Sequence, residues 1–311
     1  MTTALVYDPA FLLHQTRRHP ENPERLKVIL SALQQDEPLW TRLVHLSPRP
    51  VSDEDIMRCH SYRMIEQIRT SCEQNAPFLD PDTAICPESF EVAKVAAGAA
   101  TVAVDQVFNG DSSNAIALVR PPGHHATSDR AMGFCLFNNV AIAARYAQVH
   151  YGADRVLIVD WDVHHGNGTQ EIFYRDPSVF FFSAHQYPYY PGTGSAGERG
   201  LDKGEGTTLN IPLSEGTPAS AHLEAFKEGL KAIEKTFPPD LIIISAGFDS
   251  RRGDPLGGLM LEDSDFAEMT RGVMELAHRE ASGRVISVLE GGYNLGTLGE
   301  TVRTHIEILS S

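Results

Sequence analysis

The sequence has 311 residues, of which 42% are hydrophobic, and its formal net charge at pH 7 is −15. This apolar content is enough to bury a large core, and we expect a single domain over residues 1–311. The acidic balance argues against a general nucleic-acid binder, because such proteins displace counterions from phosphate with basic surfaces. A cationic substrate would suit the charge better.

The sequence indicates neither a targeting segment nor a disulfide scaffold. The N-terminal stretch MTTALVYDPAFLLHQ lacks the basic region and the long apolar core of a signal peptide. No later apolar run approaches the length of a membrane span. The four cysteines form no CxxC pair, so we expect buried or free thiols. We therefore expect a soluble, cytoplasmic protein with no membrane partner.

Short apolar runs rich in branched residues alternate with longer helical patterns along the chain. The predicted strands are ALVYD, AIALVR, RVLIVDWD, VFFFSAH, GTTLNIPL, LIIISAGFD and RVISVLEGG. The predicted helices are NPERLKVILSALQQ, PESFEVAKVAAGAATVAVDQVF, NNVAIAARYAQVH, ASAHLEAFKEGLKAIEKTF and DSDFAEMTRGVMELAHREA. This alternation predicts an α/β fold with a mostly parallel sheet that helices cover on both faces.

One connection is unusually long and rich in glycine and proline. It reads YPYYPGTGSAGERGLDKGEG and follows the strand VFFFSAH. Long ordered loops often carry function, but surface insertions of this composition are also well tolerated. The sequence favours neither interpretation.

The stretch VLIVDWDVHHGNG begins as a strand and ends in side chains that bind metals. Alternate side chains of an extended chain share a face, so Asp160, Asp162 and His164 are expected to point together. Two residues that break strands then follow, Gly166 and Gly168. Parallel α/β sheets place their ligand sites at the carboxyl ends of strands, and we therefore predict a site here.

Polar residues also follow three other predicted strands. PPGHHA follows AIALVR, Asp249 follows LIIISAGF, and Tyr293 follows ISVLEGG. Taken singly, each has a common structural explanation, such as a helix cap or a turn. Because the carboxyl ends of neighbouring parallel strands converge, we expect these groups to share one pocket.

Six motifs occur in the order found in the histone deacetylase family, and the sequence resembles the class II branch of that family. They are RPPGHHA, GFCLFNN, DWDVHHGNGTQ, YPGTG, AGFDSRRGDPLGG and LEGGYN. The resemblance extends from HPENPERL near the N-terminus to LEGGYN, which is nearly the whole chain. It implies the arginase/deacetylase fold, a single α/β domain with a central parallel sheet of about eight strands.

By this resemblance, Asp162, His164 and Asp249 would hold a catalytic zinc ion. Three protein ligands leave coordination positions for water and a substrate carbonyl, as a hydrolytic zinc requires. Two carboxylates and one imidazole also suit iron(II) or cobalt, so the sequence leaves the metal open.

The tandem histidines His124 and His125 match those of the family, and the resemblance gives them different roles. Asp160 matches the carboxylate partner of the first histidine, which would keep His124 charged or strongly polarised. Asn167 matches the amide partner of the second, and a neutral amide orients a ring without raising its pKa as a carboxylate does. His125 is therefore the predicted general base and acid. We assign no chemistry to His165, which is expected to face the opposite way.

The remaining matches concern the oxyanion and the substrate tunnel. Tyr293 matches the tyrosine that donates to the scissile carbonyl and to the oxyanion that follows. Phe134, preceded by Gly133, and Tyr190 match the aromatic pair that walls a narrow tunnel around the lysine methylenes. The family usually has phenylalanine where Tyr190 stands, so a tunnel hydroxyl would alter selectivity here.

The resemblance also implies structural potassium ions. The matching residues for a first site are Asp160, Asp162, His164, Ser183 and Ala184, several of them through backbone carbonyls. A second site would involve Phe173, Asp176 and Val179. Carboxylate and carbonyl oxygens suit such hard cations.

The predicted function is hydrolysis of the amide of acetyl-lysine, or of a related short acyl-lysine, in proteins or peptides. An acetylpolyamine deacetylase is the main alternative, but polyamine-selective relatives carry an acidic residue where Leu256 stands, and leucine cannot pair with an ammonium. Other small acylated amines stay open as substrates. A protein that only binds acyl-lysine would lack some of these metal-binding and catalytic residues, and none is missing here. A ureohydrolase with two manganese ions would lack the motifs RPPGHHA and EGGYN. The sequence predicts no oligomeric state.

Overall fold

The computed structural model describes residues 2–311, and in this range eight strands form one sheet. In chain order the strands are β1 (Thr3–Val6), β2 (Val44–Leu46), β3 (Asn114–Ala117), β4 (Val156–Asp160), β5 (Val179–Gln186), β6 (Thr208–Leu213), β7 (Leu241–Ala246) and β8 (Val285–Leu289). Across the sheet they are arranged as β2-β1-β3-β8-β7-β4-β5-β6. Every neighbouring pair is parallel, which confirms the predicted α/β fold.

Ten α-helices and two short 3-10 helices accompany the sheet within residues 2–311. The α-helices are α1 (Glu24–Gln35), α2 (Glu37–Arg42), α3 (Asp53–Met57), α4 (Tyr62–Glu73), α5 (Ser89–Asn109), α6 (Asn139–Tyr151), α7 (Asn167–Phe173), α8 (Ala219–Glu234), α9 (Asp263–Glu280) and α10 (Leu298–Leu309). The 3-10 helices are Pro9–Leu13 and Asp202–Gly204.

The helices form two layers around the sheet. Helices α5 and α6 pack against each other, and α5 also packs on β1, β3 and β8. Helices α8, α9, α10 and α1 pack in a row, with α8 on β5 and β6 and α9 on β7. Strand β7 contacts both α6 and α9, which places the two groups on opposite faces of the sheet.

The central strands are buried on both faces, as their uniform apolar composition predicts. All residues of β4 and of β7 are buried, and they pair in register from Val156 with Leu241 to Asp160 with Ser245. The last pair is polar because β4 leaves the apolar core at Asp160. Polar side chains therefore begin where the sheet ends.

Several elements have no counterpart among the predicted ones. They are β2, α2, α3, α4, α7 and α10. Strand β2 has three residues, of which two are exposed, so it offers no apolar alternation to recognise. It exists because its backbone pairs with β1.

Strand β4 ends at Asp160, before both glycines, and Gly168 lies in the first turn of α7. Its backbone N–H donates to the carbonyl of His124 over 3.0 Å. A Cβ atom at Gly168 would lie 2.2 Å from the carbonyl oxygen of Ala126. Glycine is therefore required here for close approach to the tandem-histidine loop.

Within residues 2–311, no helix combines the length and the apolar composition needed to cross a membrane.

Candidate active site

The four loops predicted to converge leave four strands that are neighbours in the sheet, β3, β8, β7 and β4. His124 and His125 follow β3, Tyr293 follows β8, Asp249 follows β7, and Asp162 and His164 follow β4. Because all four strands are parallel, their carboxyl ends lie at the same edge of the sheet. The structure brings these residues together; the histidines and carboxylates are buried, and Tyr293 is half-buried.

Asp162, His164 and Asp249 form a set of potential metal ligands. One ligand atom from each lies within 4.8 Å of the others, and all three side chains are buried. The Nδ1 atom of His164 lies 3.0 Å from Oδ1 of Asp162 and 3.3 Å from Oδ2 of Asp249. The three potential ligand atoms therefore face a common point, as the ligands of one cation do.

The charge balance of this set favours a cation. Burial, followed by repulsion from Asp162, raises the pKa of Asp249 to about 7. Oδ1 of Asp249 accepts the backbone N–H of Val163 at 2.8 Å, but the buried Oδ2 forms no hydrogen bond and has only Nδ1 of His164, itself a candidate ligand, at 3.3 Å. A buried carboxylate oxygen without a donor is costly unless an ion binds it.

The two tandem histidines have different partners and opposite pKa shifts. Nδ1 of His124 donates to Oδ2 of Asp160 at 3.0 Å. Although burial opposes the charged form, Asp160 and Asp162 raise the pKa of His124 to about 10. Nδ1 of His125 donates to the amide oxygen of Asn167 at 2.8 Å.

Burial lowers the pKa of His125 well below its usual value, and the positive charge of His124 lowers it further. A neutral imidazole whose Nδ1–H is engaged by an amide oxygen has its Nε2 free to accept a proton. His125 therefore has the protonation state of a general base at pH 7, and His124 has that of a fixed cation.

Tyr293 and two other aromatic residues surround the cluster. The ring of Phe134 meets that of Tyr293 edge to face, with centroids 5.8 Å apart. The ring of Tyr190 stands edge to face on His125 at 5.1 Å and on His164 at 6.0 Å. Burial raises the pKa of Tyr293 well above its usual value, so its phenol stays protonated and able to donate.

Gly133 lets the segment that carries Phe134 approach His125. Its φ is +58°, and a Cβ atom there would lie 2.5 Å from Cδ2 of His125. Phe134 follows with φ of +70°, in the left-handed region that non-glycine residues rarely occupy. This backbone turns the Phe134 ring toward Tyr293.

Leu256 lies beside the Tyr293 segment. Its backbone N–H donates to Oδ1 of Asp254 at 2.9 Å, and Oδ2 of Asp254 accepts the backbone N–H groups of Tyr293 and Asn294. One buried carboxylate thus joins the loop of Leu256 to the loop of Tyr293. The Leu256 side chain is half-buried at this junction.

The residues matched to cation sites lie mainly along β4 and β5. Asp160 pairs in register with Ser183, and Ala184 is the next residue of β5. Asp176, matched to the second site, forms an ion pair with Arg145 at 2.6 Å, so its carboxylate is already engaged. The other two residues flank it: Phe173 ends α7 and Val179 begins β5.

His165 takes part in a structural network. Its Nδ1 lies 2.8 Å from Oγ1 of Thr193, and its Nε2 lies 2.9 Å from Oε1 of Gln170. Nε2 of His185 also donates to the carbonyl of Gly194 over 2.9 Å. The long glycine-rich loop is therefore tied to buried residues and carries Tyr190 to the site, unlike a loosely attached insertion.

Sequence reasoning missed Arg25, which is fully buried beneath Tyr293. Its guanidinium lies 4.8 Å from the centroid of the Tyr293 ring, and its Nε donates to the carbonyl of Gly292 at 2.7 Å. Glu21 accepts from Arg25 at 3.2 Å and also pairs with Arg120. Glu21 and Arg25 stand in HPENPERL at a helical spacing of four, which was a usable signal.

Together these groups define a class of site. Two carboxylates and an imidazole face one point, and a neutral histidine and a protonated phenol stand beside it. Such sets of metal ligands, base and oxyanion donor are typical of metal-assisted hydrolases.

The sequence of residues 19–309 matches the protein-family model that is described as the histone deacetylase domain. A histone deacetylase-like amidohydrolase of Pseudomonas aeruginosa is 41% identical over 280 residues, covering 89% of this chain and 73% of that protein. The polyamine deacetylase HDAC10 of Mus musculus is 40% identical over an aligned region that covers 99% of this chain and 48% of that protein. The crystal structure of the HDA15 HD domain superposes with a TM-score of 0.94 at 38% identity, covering 99% of this chain and 88% of that one.

The chain belongs to the histone deacetylase family. The family and its amidohydrolase members identify a hydrolytic enzyme of the deacetylase type.

Proposed function

We propose that this protein is a zinc-dependent deacetylase that hydrolyses the amide of acetyl-lysine, or of a related short acyl-lysine, in proteins or peptides. The observation that carries the proposal is the convergence of Asp162, His164 and Asp249 on one point beside His125. The buried Oδ2 of Asp249, which forms no hydrogen bond, supports a cation there. Zinc suits three ligands of this kind, and iron(II) or cobalt would also fit.

When bound, the metal ion supplies Lewis-acid polarisation of a carbonyl and acidifies water. His125 accepts the proton of the attacking water at Nε2 and later delivers a proton to the departing amine. Asn167 keeps the His125 ring oriented for both transfers. Tyr293 donates its phenolic hydrogen to the developing oxyanion. His124, held positive by Asp160, contributes a fixed charge beside the reacting atoms.

Two aromatic residues beside His125 and Tyr293, together with Leu256, support the proposed substrate class. Phe134 and Tyr190 match the aromatic walls of the family's tunnel, and aromatic faces suit the methylene stem of a lysine. Polyamines carry a second ammonium group, which requires an acidic partner, and Leu256 offers none at the Tyr293 junction. Acyl-lysine peptides are therefore favoured over acetylated polyamines, although a polyamine deacetylase is among the relatives.

The function is tested with the zinc-loaded protein on a panel of acyl-lysine peptides and acetylated polyamines. We expect kcat/KM on acetyl-lysine peptides to exceed that on acetylpolyamines. A kcat/KM on acetylpolyamines that equals or exceeds that on peptides would identify acetylpolyamines as the better substrate class. If the protein hydrolyses neither class of substrate, a protein that binds acyl-lysine without hydrolysing it would be the better interpretation.

Replacing Leu256 with glutamate tests the proposed mouth of the tunnel. A carboxylate there should attract the distal ammonium of an acetylpolyamine, so the ratio of polyamine to peptide kcat/KM should rise about 10-fold at low salt. The ratio is measured at two ionic strengths, with Val149→Glu as the control for added surface charge, because Val149 is exposed at the end of α6. An unchanged ratio would place Leu256 away from the substrate.

Replacing Gly291 with alanine tests the packing of the metal ligands. The new Cβ would lie 2.1 Å from Oδ2 of Asp249 and 2.5 Å from Oδ2 of Asp162, so one of these carboxylates must move. We expect zinc content by elemental analysis to fall well below one per chain, with about a 10²-fold loss of activity. The control is Gly272→Ala in α9, where the nearest atom lies 3.4 Å away. Equal zinc content in the two variants would contradict the close packing of Gly291 against the carboxylates of Asp162 and Asp249.

We also propose that potassium binds near β4 and β5 through Asp160, Asp162, His164, Ser183 and Ala184. Support comes from the in-register Asp160 and Ser183 pair, which sets oxygen ligands side by side. A second site at Phe173, Asp176 and Val179 would rely on backbone carbonyls, because Arg145 engages the Asp176 carboxylate. Replacing potassium with choline should lower the melting temperature, and an unchanged value would refute both sites.

A further inference from the structure

Glu290 follows β8 directly and is fully buried. Within residues 2–311, its carboxylate accepts hydrogen bonds from two backbone N–H groups and one hydroxyl, and no lysine or arginine forms an ion pair with it. Burying a carboxylate without a cationic partner in contact is costly. Its three hydrogen bonds, together with the positively charged ring of His124, of which a nitrogen lies within 4.8 Å, hold it in place.

The donors come from two other parts of the active site. Oε2 of Glu290 accepts the backbone N–H of Gly123 at 2.7 Å and that of His124 at 3.2 Å. Oε1 accepts the hydroxyl of Ser245 at 3.0 Å. The backbone N–H of Glu290 donates to Ala246 at 2.9 Å, which fixes the residue to β7. One side chain thus joins β7 and β8 to the loop that follows β3.

The segment that begins at Glu290 carries the oxyanion donor. The next residue, Gly291, donates its backbone N–H to Oδ2 of Asp162 at 2.9 Å. Arg25 binds the carbonyls of Glu290 and Gly292 and packs on the ring of Tyr293. Glu290 is therefore the direct link between the tandem-histidine loop and the Tyr293 segment.

A second metal site is the other explanation for this carboxylate. Potential ligand atoms of His124, Cys135 and Glu290 lie within 4.8 Å of one another. However, Asp160 accepts from Nδ1 of His124, and both oxygens of Glu290 already accept hydrogen bonds. The pKa of His124 is raised to about 10 and burial raises that of the Cys135 thiol, so both are protonated and neither is a metal ligand; a structural role for Glu290 fits its contacts better.

We propose that Glu290 is a positioning residue whose carboxylate holds the backbone of Gly123 and His124, and through it the His125 ring, at a set distance from Tyr293. This inference rests on the proposed deacetylase function. In the proposed reaction, His125 and Tyr293 act on the same amide, so a shift of one loop against the other would misalign them. Misplacement by about 1 Å can cost about 10²-fold in rate.

Two conservative variants separate geometry from charge. Glu290→Gln removes the charge but keeps the reach: its carbonyl can accept from both N–H groups, and its amide can donate to the Ser245 hydroxyl. Glu290→Asp keeps the charge but withdraws it by about 1.5 Å, one carbon–carbon bond. We expect kcat of the Gln variant within about 3-fold of wild type and kcat of the Asp variant lower by about 10-fold or more, with KM changed less.

Steady-state kinetics on an acetyl-lysine peptide measure these values, with Glu73→Ala on the exposed end of α4 as the control. A loss in Glu290→Gln equal to or greater than that in Glu290→Asp would overturn the proposal, because charge would then be the decisive property. Near-normal kcat in both variants would also overturn it.

A second measurement does not depend on activity. Hydrogen exchange at the Gly123 and His124 amides should accelerate in Glu290→Asp and stay unchanged in Glu290→Gln, with zinc content equal in both. If wild type hydrolyses no acyl-lysine, the proposed function fails, whereas unchanged exchange in Glu290→Asp refutes the positioning role itself.

Discussion

Replacing Asp249 with alanine should remove most of the bound zinc and nearly all hydrolysis while the fold persists. Asp249 supplies one of three candidate ligands, and the nearest protein nitrogen to its Oδ2 is Nδ1 of His164, another candidate ligand, at 3.3 Å. Its Oδ1 does accept the backbone N–H of Val163, so a modest loss of stability is expected as well. The remaining pair, Asp162 and His164, forms a weak site for a divalent ion.

Zinc per chain is measured by elemental analysis after dialysis, and the fold is followed by circular dichroism. Asp154→Ala serves as the control, since Asp154 is an exposed carboxylate in the turn before β4. We expect Asp249→Ala to retain much less than one zinc per chain and to lose at least about 10³-fold in kcat/KM. Zinc content near one per chain with native-like spectra would show that Asp249 is not a ligand.

The substitution Tyr293→Phe should impair chemistry more than binding. It keeps the ring that packs on Phe134 and Arg25 and deletes only the phenolic donor. Because that donor acts chiefly on the developing oxyanion, kcat should fall by about 10²-fold or more, with a smaller change in KM. Zinc content should be unchanged.

Steady-state kinetics and binding of a hydroxamate inhibitor test this expectation, with Tyr62→Phe, an exposed phenol in α4, as the matched control. The inhibitor should still bind, though more weakly if it also accepts from the phenol. Near-normal kcat would reduce Tyr293 to a packing residue. Loss of zinc would instead mean that the phenol supports the metal ligands.

Much of the site was predictable because its signals are local. Asp162 and His164 are two residues apart beyond a strand, and alternation in an extended chain puts them on one face. Their contact at 3.0 Å follows from that spacing. The apolar runs likewise predicted all strands except β2, since parallel strands buried on both faces are continuously apolar.

The residues that support the site were harder to predict, because their partners are distant in sequence. Arg25 belongs to an ordinary helical sequence pattern, yet its guanidinium lies under the ring of Tyr293, which is 268 positions away in the chain. Glu290 stands in the motif LEGGYN, where nothing local indicates that its carboxylate binds Gly123. Such buried polar contacts depend on which strands are neighbours.

By itself, the sequence determined the alternation of strands and helices, the polar residues at each strand end and the motifs of the family. Only the tertiary structure decided that β3, β8, β7 and β4 lie side by side, so that four loops far apart in the chain meet. The reason is physical. Periodicity and turn chemistry act over a few residues, whereas strand order is settled by how the whole chain buries its apolar faces.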